Sequence, residues 1–155
     1  MKLAIGSDHA GFKLKAEVLA ELQKKGHDVV DAGTHTTDSV DYPDFGAKVG
    51  RMVAEGEVTR GIAICGTGVG ISIAANKIRG VRAVCCSDTF SARMSRAHND
   101  ANVLCFGERV VGVGLALDLV SAFLSTEFEG GRHAARVDKI RQLDSQNAGG
   151  GGSKC

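Results

Sequence analysis

Cys65 heads the run Gly66-Thr67-Gly68-Val69-Gly70, which leads into the apolar Ile71-Ser72-Ile73. A thiolate can act as a base or as a nucleophile, and free cysteine reaches that state close to neutral pH. Glycines let the backbone turn tightly and aim several N–H groups at one point, and a helix starting there adds partial positive charge. Such a loop holds an anion and favours a thiolate at its edge. Three readings of the loop compete. The first is a dinucleotide fingerprint, but the third glycine of G-x-G-x-x-G would fall on Ile71, although Asp88 lies at a suitable distance for a ribose. In the second, the glycines serve tight packing and Cys65 is an inert core thiol. In the third, the loop stabilises a developing oxyanion and Cys65 is the base or nucleophile.

Three further clusters carry chemistry-bearing side chains. His98-Asn99-Asp100 closes a helical stretch, where the helix dipole raises a histidine's proton affinity; a surface capping role is the plainer reading. Asp8-His9 follows an apolar run, and an aspartate there can simply cap the next helix. In Gly130-Gly131-Arg132-His133-Ala134-Ala135-Arg136, the two arginines are four residues apart and so share one helical face. Like charges repel at that spacing, and a cation in the first turn opposes the dipole. Both costs disappear if a phosphate lies between the guanidinium groups, since arginine binds phosphate through paired hydrogen bonds. A solvated basic face is the alternative. Together the clusters indicate a phosphorylated small molecule and acid–base chemistry, with a thiol base as one option.

The elements that must position these residues alternate along the chain. Short apolar runs at 2–6, 28–32, 61–65, 82–86 and 103–106 read as strands covered on both faces. Helical periods fall at 12–25, 43–55, 69–78, 89–98, 110–125 and 132–142. Strand–helix repetition implies an α/β fold with helices on both faces of a parallel sheet, and ligands in such sheets bind beyond the carboxyl ends of the strands. Residues 110–125 are apolar on almost every side, which calls for a subunit interface, hence a homodimer at least, or for deep burial.

Composition narrows the function classes. The chain has 155 residues, 43% hydrophobic and 24% charged, with a formal net charge of +1. That suits one domain with a substantial core and gives no global attraction for nucleic acid or an anionic membrane. No signal-peptide pattern and no membrane-spanning run is read, so a cytoplasmic chain is expected. The five cysteines have no zinc-type spacing, and free thiols in a reducing compartment are expected. Residues 1–146 are read as one domain, and 147–155 as a flexible, engineered-looking tail ending in Gly-Gly-Gly-Gly-Ser-Lys-Cys.

Several separated motifs, taken in order, resemble the B-type ribose-5-phosphate isomerases, part of a wider sugar-phosphate isomerase family that also includes galactose-6-phosphate isomerase subunits. They are Gly6-Ser7-Asp8-His9-Ala10-Gly11, Asp41-Tyr42-Pro43-Asp44, the loop from Cys65 to Ile71 with Ser72-Ile73-Ala74-Ala75-Asn76-Lys77, Ser95-Arg96-Ala97-His98-Asn99-Asp100-Ala101-Asn102, and Gly130-Gly131-Arg132-His133. The resemblance implies a three-layer α/β/α Rossmann-like domain with a five-stranded parallel sheet. It implies an aldose–ketose isomerase of the pentose phosphate pathway that interconverts D-ribose 5-phosphate and D-ribulose 5-phosphate through an enediolate, with Cys65 as base and His98 opening the sugar ring. Gly66, Thr67, Gly68, Val69 and Gly70 would hold the enediolate oxygen. Asp8 and Asn99 would serve the sugar hydroxyls, and His9, Arg132 and Arg136, with Arg109 nearby, the phosphate. No metal or cofactor is implied, and homodimers or homotetramers with sites shared between subunits are, so that His98, Asn99 and Arg109 would serve the partner's Cys65. Ile71 stands where another branch has a glutamate base, which places the chain with the cysteine branch. A hexose 6-phosphate, allose or galactose, is the alternative substrate, and a nucleotide-binding module the alternative class.

Overall fold

The computed structural model describes residues 1–148. β1 (Lys2–Ser7) passes through a single 3-10 turn (His9–Gly11) into α1 (Phe12–Lys24). Then come β2 (Asp28–Asp31), α2 (Tyr42–Ala54), β3 (Arg60–Cys65), α3 (Val69–Ala75), β4 (Ala83–Cys85), α4 (Thr89–Asn99), β5 (Val103–Gly107), α5 (Val113–Ser125) and α6 (Arg132–Ala148). The five strands form one parallel sheet in the order β2-β1-β3-β5-β4. Parallel neighbours cannot be joined by a tight hairpin, so each crossover carries a helix. The expected α/β/α architecture is the one observed.

Side chains alternate across each strand, and the two faces of the sheet differ. Leu3, Ile5, Ile62, Ile64, Leu104 and Phe106 meet α1, α4 and α5. Ala4, Ala63, Val103 and Cys105 meet α2 and α3, so the smaller strand residues lie on that side. β3 is buried at every position, as its unbroken apolar run implies. α6 lies beside α4 and is tied to the β4 approach by Asp144, which accepts the Gly80 N–H at 3.0 Å.

Several boundaries differ from the sequence reading, each for a local reason. α3 ends at Ala75, three residues early, because the Asn76 side chain bonds both the N–H and the C=O of Ala83 at 2.8 Å and pins the chain to β4. α5 starts at Val113 and not at 110, because the N–H groups of Val110 and Val111 both turn back to the Gly107 carbonyl. α6 runs to Ala148, six residues beyond the expected end; the expected tail from 149 onward lies outside the described residues. α5 buries Ala116, Leu119, Val120, Phe123 and Leu124 on the sheet and leaves Val113 and Leu115 exposed.

The chain leaves β1 for β2 on one side and reaches β3 on the other. This reversal opens a crevice at the carboxyl ends of β1 and β3, directly above Asp8 and Cys65.

Candidate active site

Cys65 is the last residue of β3 and only 4% exposed. Its Sγ accepts a hydrogen bond from the Gly68 N–H at 3.1 Å. Gly68 reaches that position with φ +81°, and a Cβ there would stand 2.7 Å from the Phe106 backbone. Only glycine meets both demands, so the donor is fixed by backbone geometry. The N–H groups of Val69 and Gly70 open α3 and have no carbonyl partner within the helix. Thr67 Oγ1 accepts the Val69 N–H at 3.3 Å. The loop is clamped from below: the N–H groups of Glu108 and Arg109 bond the carbonyls of Cys65 and Gly66 at 3.0 and 3.1 Å.

Asp8, His9, Ala10, Tyr42, Cys65, Gly66, Thr67, Val69, Gly70 and Arg109 line one open pocket of about 450 Å³. Asp8 is 5% exposed, and its Oδ1 caps the 3-10 turn by accepting the Ala10 and Gly11 N–H groups at 3.0 and 3.1 Å. The plain capping reading of Asp8 therefore applies, and the same residue also faces the pocket. The ring of His9 is set by the loop after β2, with Nδ1 lying 3.1 Å from the Val40 N and 3.2 Å from its O. That loop is anchored by buried Lys15, whose Nζ donates to both Asp31 oxygens at 2.6 and 2.7 Å and to the Thr34 carbonyl at 2.9 Å. Arg109 lies over Gly66 of its own chain and pairs with no carboxylate among the described residues. The pocket thus holds a thiol, fixed N–H donors, a carboxylate, an imidazole and an uncompensated cation.

Cys85, Cys86 and Cys105 are also free thiols. Partial burial, then the neighbouring Cys65, raises the Cys85 thiol. Burial pushes Cys86 up to about 11 and Cys105 well above the ordinary thiol range, so these three stay protonated near neutral pH.

His98, Asn99, Arg132 and Arg136 do not line this pocket. α4 returns from the carboxyl end of β4 to the amino end of β5, so its last turn lies at the opposite edge of the sheet. A strand the length of β5 covers roughly 15 Å. At that far edge Asp100 caps α4 with φ +48°, the one non-glycine residue at positive φ among those described. Its carboxylate gathers Arg82 at 2.9 Å and Arg96 at 3.0 Å, which fixes the backbone just after His98 and Asn99. The His98 ring stacks on His133 with centroids 4.1 Å apart. Burial, then His98 and Arg132, lowers the proton affinity of His133. Arg132 and Arg136 are exposed on the first turns of α6, and neither pairs with a carboxylate among the described residues.

A family model described as Ribose/Galactose Isomerase matches residues 3–140. The chain belongs to the ribose/galactose isomerase family. It is 53% identical over 145 residues to ribose-5-phosphate isomerase B of Escherichia coli K12, covering 94% of this chain and 97% of the relative. A D-erythrulose-4-phosphate isomerase of Pectobacterium atrosepticum is 41% identical over 147 residues, covering 94% and 97% of the two chains. Among solved structures, the ribose-5-phosphate isomerase B of Clostridium thermocellum superposes with a TM-score of 0.94 at 58% identity, covering 95% of this chain and 99% of that one. In this chain the thiol-and-glycine loop and the arginine-bearing segment lie in two separate places. Two residues escaped the sequence-based assignment of roles. Tyr42 lines the pocket, and its ring closes on Gly70; the Asp41-Tyr42-Pro43-Asp44 motif was the available signal. Glu129 lies beside His98 and His133, and no motif marks it, because only the turn at Gly130 and Gly131 brings it there.

Proposed function

We propose that the chain interconverts D-ribose 5-phosphate and D-ribulose 5-phosphate. The observation that carries this reading is the pocket itself, where the Cys65 sulfur, already engaged by the Gly68 N–H, shares one crevice with Asp8, His9 and Arg109. Cys65, as the thiolate, takes the proton from C2 of the open aldose. The electrons move onto the carbonyl oxygen at C1 and form the enediolate, held by the loop N–H groups of 66–70 and by Thr67. The same proton returns to C1, and the C2 hydroxyl becomes the ketone, with Asp8 and Asn99 relaying the hydroxyl proton. His9 and Arg109 bind the phosphate together with Arg132 and Arg136.

One chain cannot bring both sets of residues to one substrate, since they occupy opposite edges of the sheet. The reading therefore requires a homodimer in which His98, Asn99, Arg132 and Arg136 of one subunit close over the Cys65 pocket of the partner. Exposed Val69, Ile73, Phe90 and Val113 offer apolar area for such contacts. Arg109, in contrast, serves its own subunit's pocket. Free thiols at Cys65, Cys85, Cys86 and Cys105 suit a cytoplasmic setting. Among the described residues, no helix is long and apolar enough to cross a membrane.

The test is a direct isomerase assay comparing kcat/KM for ribose 5-phosphate, allose 6-phosphate, galactose 6-phosphate and erythrulose 4-phosphate. The pentose phosphate should lead by at least about tenfold, a margin of roughly 1.4 kcal/mol. A higher value for a hexose or tetrose phosphate would reassign the substrate within the family.

A further inference from the structure

We propose that His98, Glu129 and His133 form an inhibitory binding site for a divalent transition-metal ion of the zinc type. Glu129 Oε2 lies 3.8 Å from His98 Nε2 and 3.6 Å from His133 Nε2. Both gaps are too long for hydrogen bonds, whose N···O distance is about 2.7–3.2 Å. They are close to about 3.4 Å, the ligand–ligand separation in a tetrahedron with bonds of about 2.1 Å around zinc. One ligand atom from each of the three residues lies within 4.8 Å of the other two. Two imidazoles and one carboxylate suit zinc and its neighbours, whereas calcium and magnesium prefer oxygen donors alone.

The backbone holds this arrangement. The Glu129 N–H donates to the Ala97 carbonyl at 3.0 Å, which fixes the Glu129 backbone beside the residue preceding His98. Gly130 and Gly131 take φ +65° and +53°, and the His133 N–H closes the turn on the Gly130 carbonyl at 3.0 Å. The two rings are parallel within 5°, so their Nε2 lone pairs must fan toward a common ion by rotation about χ2. Arg132 opposes the ion, with Nε 3.5 Å from His133 Nε2, but it is exposed and free to swing outward. An ion on His98 ties up the imidazole that the isomerase reading assigns to opening the sugar ring. That inhibitory consequence rests on the isomerase reading; the binding site does not.

Co²⁺ titrated into the full-length oligomer, followed by visible absorption and calorimetry and then displaced by Zn²⁺, tests the site. The expected result is saturable binding with visible d–d bands and no near-ultraviolet thiolate charge-transfer band. Glu129→Gln should weaken binding at least about tenfold, and Arg132→Gln should tighten it. Zn²⁺ should suppress turnover, and a chelator should restore it. Absence of saturable binding, a thiolate band, or an affinity unmoved by Glu129→Gln would overturn the proposal. If Co²⁺ binds as described but no isomerase activity is found, the functional reading falls and the metal site stands. If activity is present and Zn²⁺ binds without affecting it, the inhibitory role is overturned.

Discussion

The two edges of the sheet are built in opposite ways. At the carboxyl edge, loops from β1, β2, β3 and β5 of one chain converge on Cys65, and most hydrogen bonds that shape the pocket use at least one backbone group of that chain. At the amino edge, the network centred on Asp100 fixes the backbone, Asn99, Arg132 and Arg136 are exposed at helix ends, and half-buried His98 stacks on His133. One edge is a concave cradle, and the other presents side chains from helix ends. A crevice can be completed by local sequence. Side chains at the opposite end of a strand roughly 15 Å long do not line it within one chain.

The strongest way to break this comparison is to inactivate each edge separately. Cys65→Ala should lower kcat by about 10²–10⁴-fold, the usual contribution of a positioned base, while leaving affinity for a phosphate-bearing inhibitor near its original value. Undiminished turnover in this variant would remove Cys65 as the base. His98→Asn should also lose activity on the cyclic sugar. The decisive step is to mix the two inactive variants after dissociation. If sites are shared, each heterodimer regains one intact site, so random pairing restores roughly a quarter of wild-type activity. Were each chain to hold a complete site, mixing would restore nothing.

A middle-sized effect separates the cations. Arg109 belongs to the cradle, whereas Arg136 belongs to the presented set. Arg136→Ala and Arg109→Ala should each raise KM by about tenfold, roughly 1.4 kcal/mol of phosphate binding, with the larger rise at Arg136. In the mixing experiment, Arg109→Ala should fail to complement Cys65→Ala in a shared site, because both residues lie on the same subunit's side of it. Arg136→Ala should complement. Steady-state kinetics on the mixed oligomers distinguish these outcomes.

Local elements were readable from the sequence because each depends on a short pattern. The unbroken apolar run of β3, the glycine-rich turn after it and the stripe Leu14, Val18, Leu22 on α1 need no knowledge of the rest of the chain. The strand order was not readable, since nothing in the runs at 82–86 and 103–106 records that β5 pairs with β3 and β4 takes the edge. The candidate site was legible as a set of residues and illegible as a place. Resemblance named Cys65 and His98 together, but only the fold shows that a strand separates them. The resemblance implies that Arg109 faces the partner, whereas the turn of 108–111 sets it against its own Gly66. Glu129 was missed because an exposed glutamate in a connection carries no signal until two glycines fold it back.

The smallest predicted effect uses pH to pull on the two edges from opposite sides. Burial lowers the proton affinity of His133 below the usual 6.5, so the unfolded chain binds its proton more tightly than the folded one. Its contribution is therefore complete above pH 6.5 and is lost as pH falls through the folded value. Cys86 is the reverse case. Burial, then Cys85 and Asp88, raises its thiol from 9.0 to about 11, so the folded state holds the proton that the unfolded chain gives up first. That stability is intact below pH 9 and is lost as pH rises toward 11, with buried Cys105 acting in the same direction. The urea midpoint should consequently form a plateau between the two limbs. His133→Asn should flatten the acid limb alone and Cys86→Ala the alkaline limb alone, because the two residues lie at opposite edges and share no partner. If either substitution moved both limbs equally, the edges would be energetically coupled, and the separation of cradle from presented side chains would hold for geometry but not for stability.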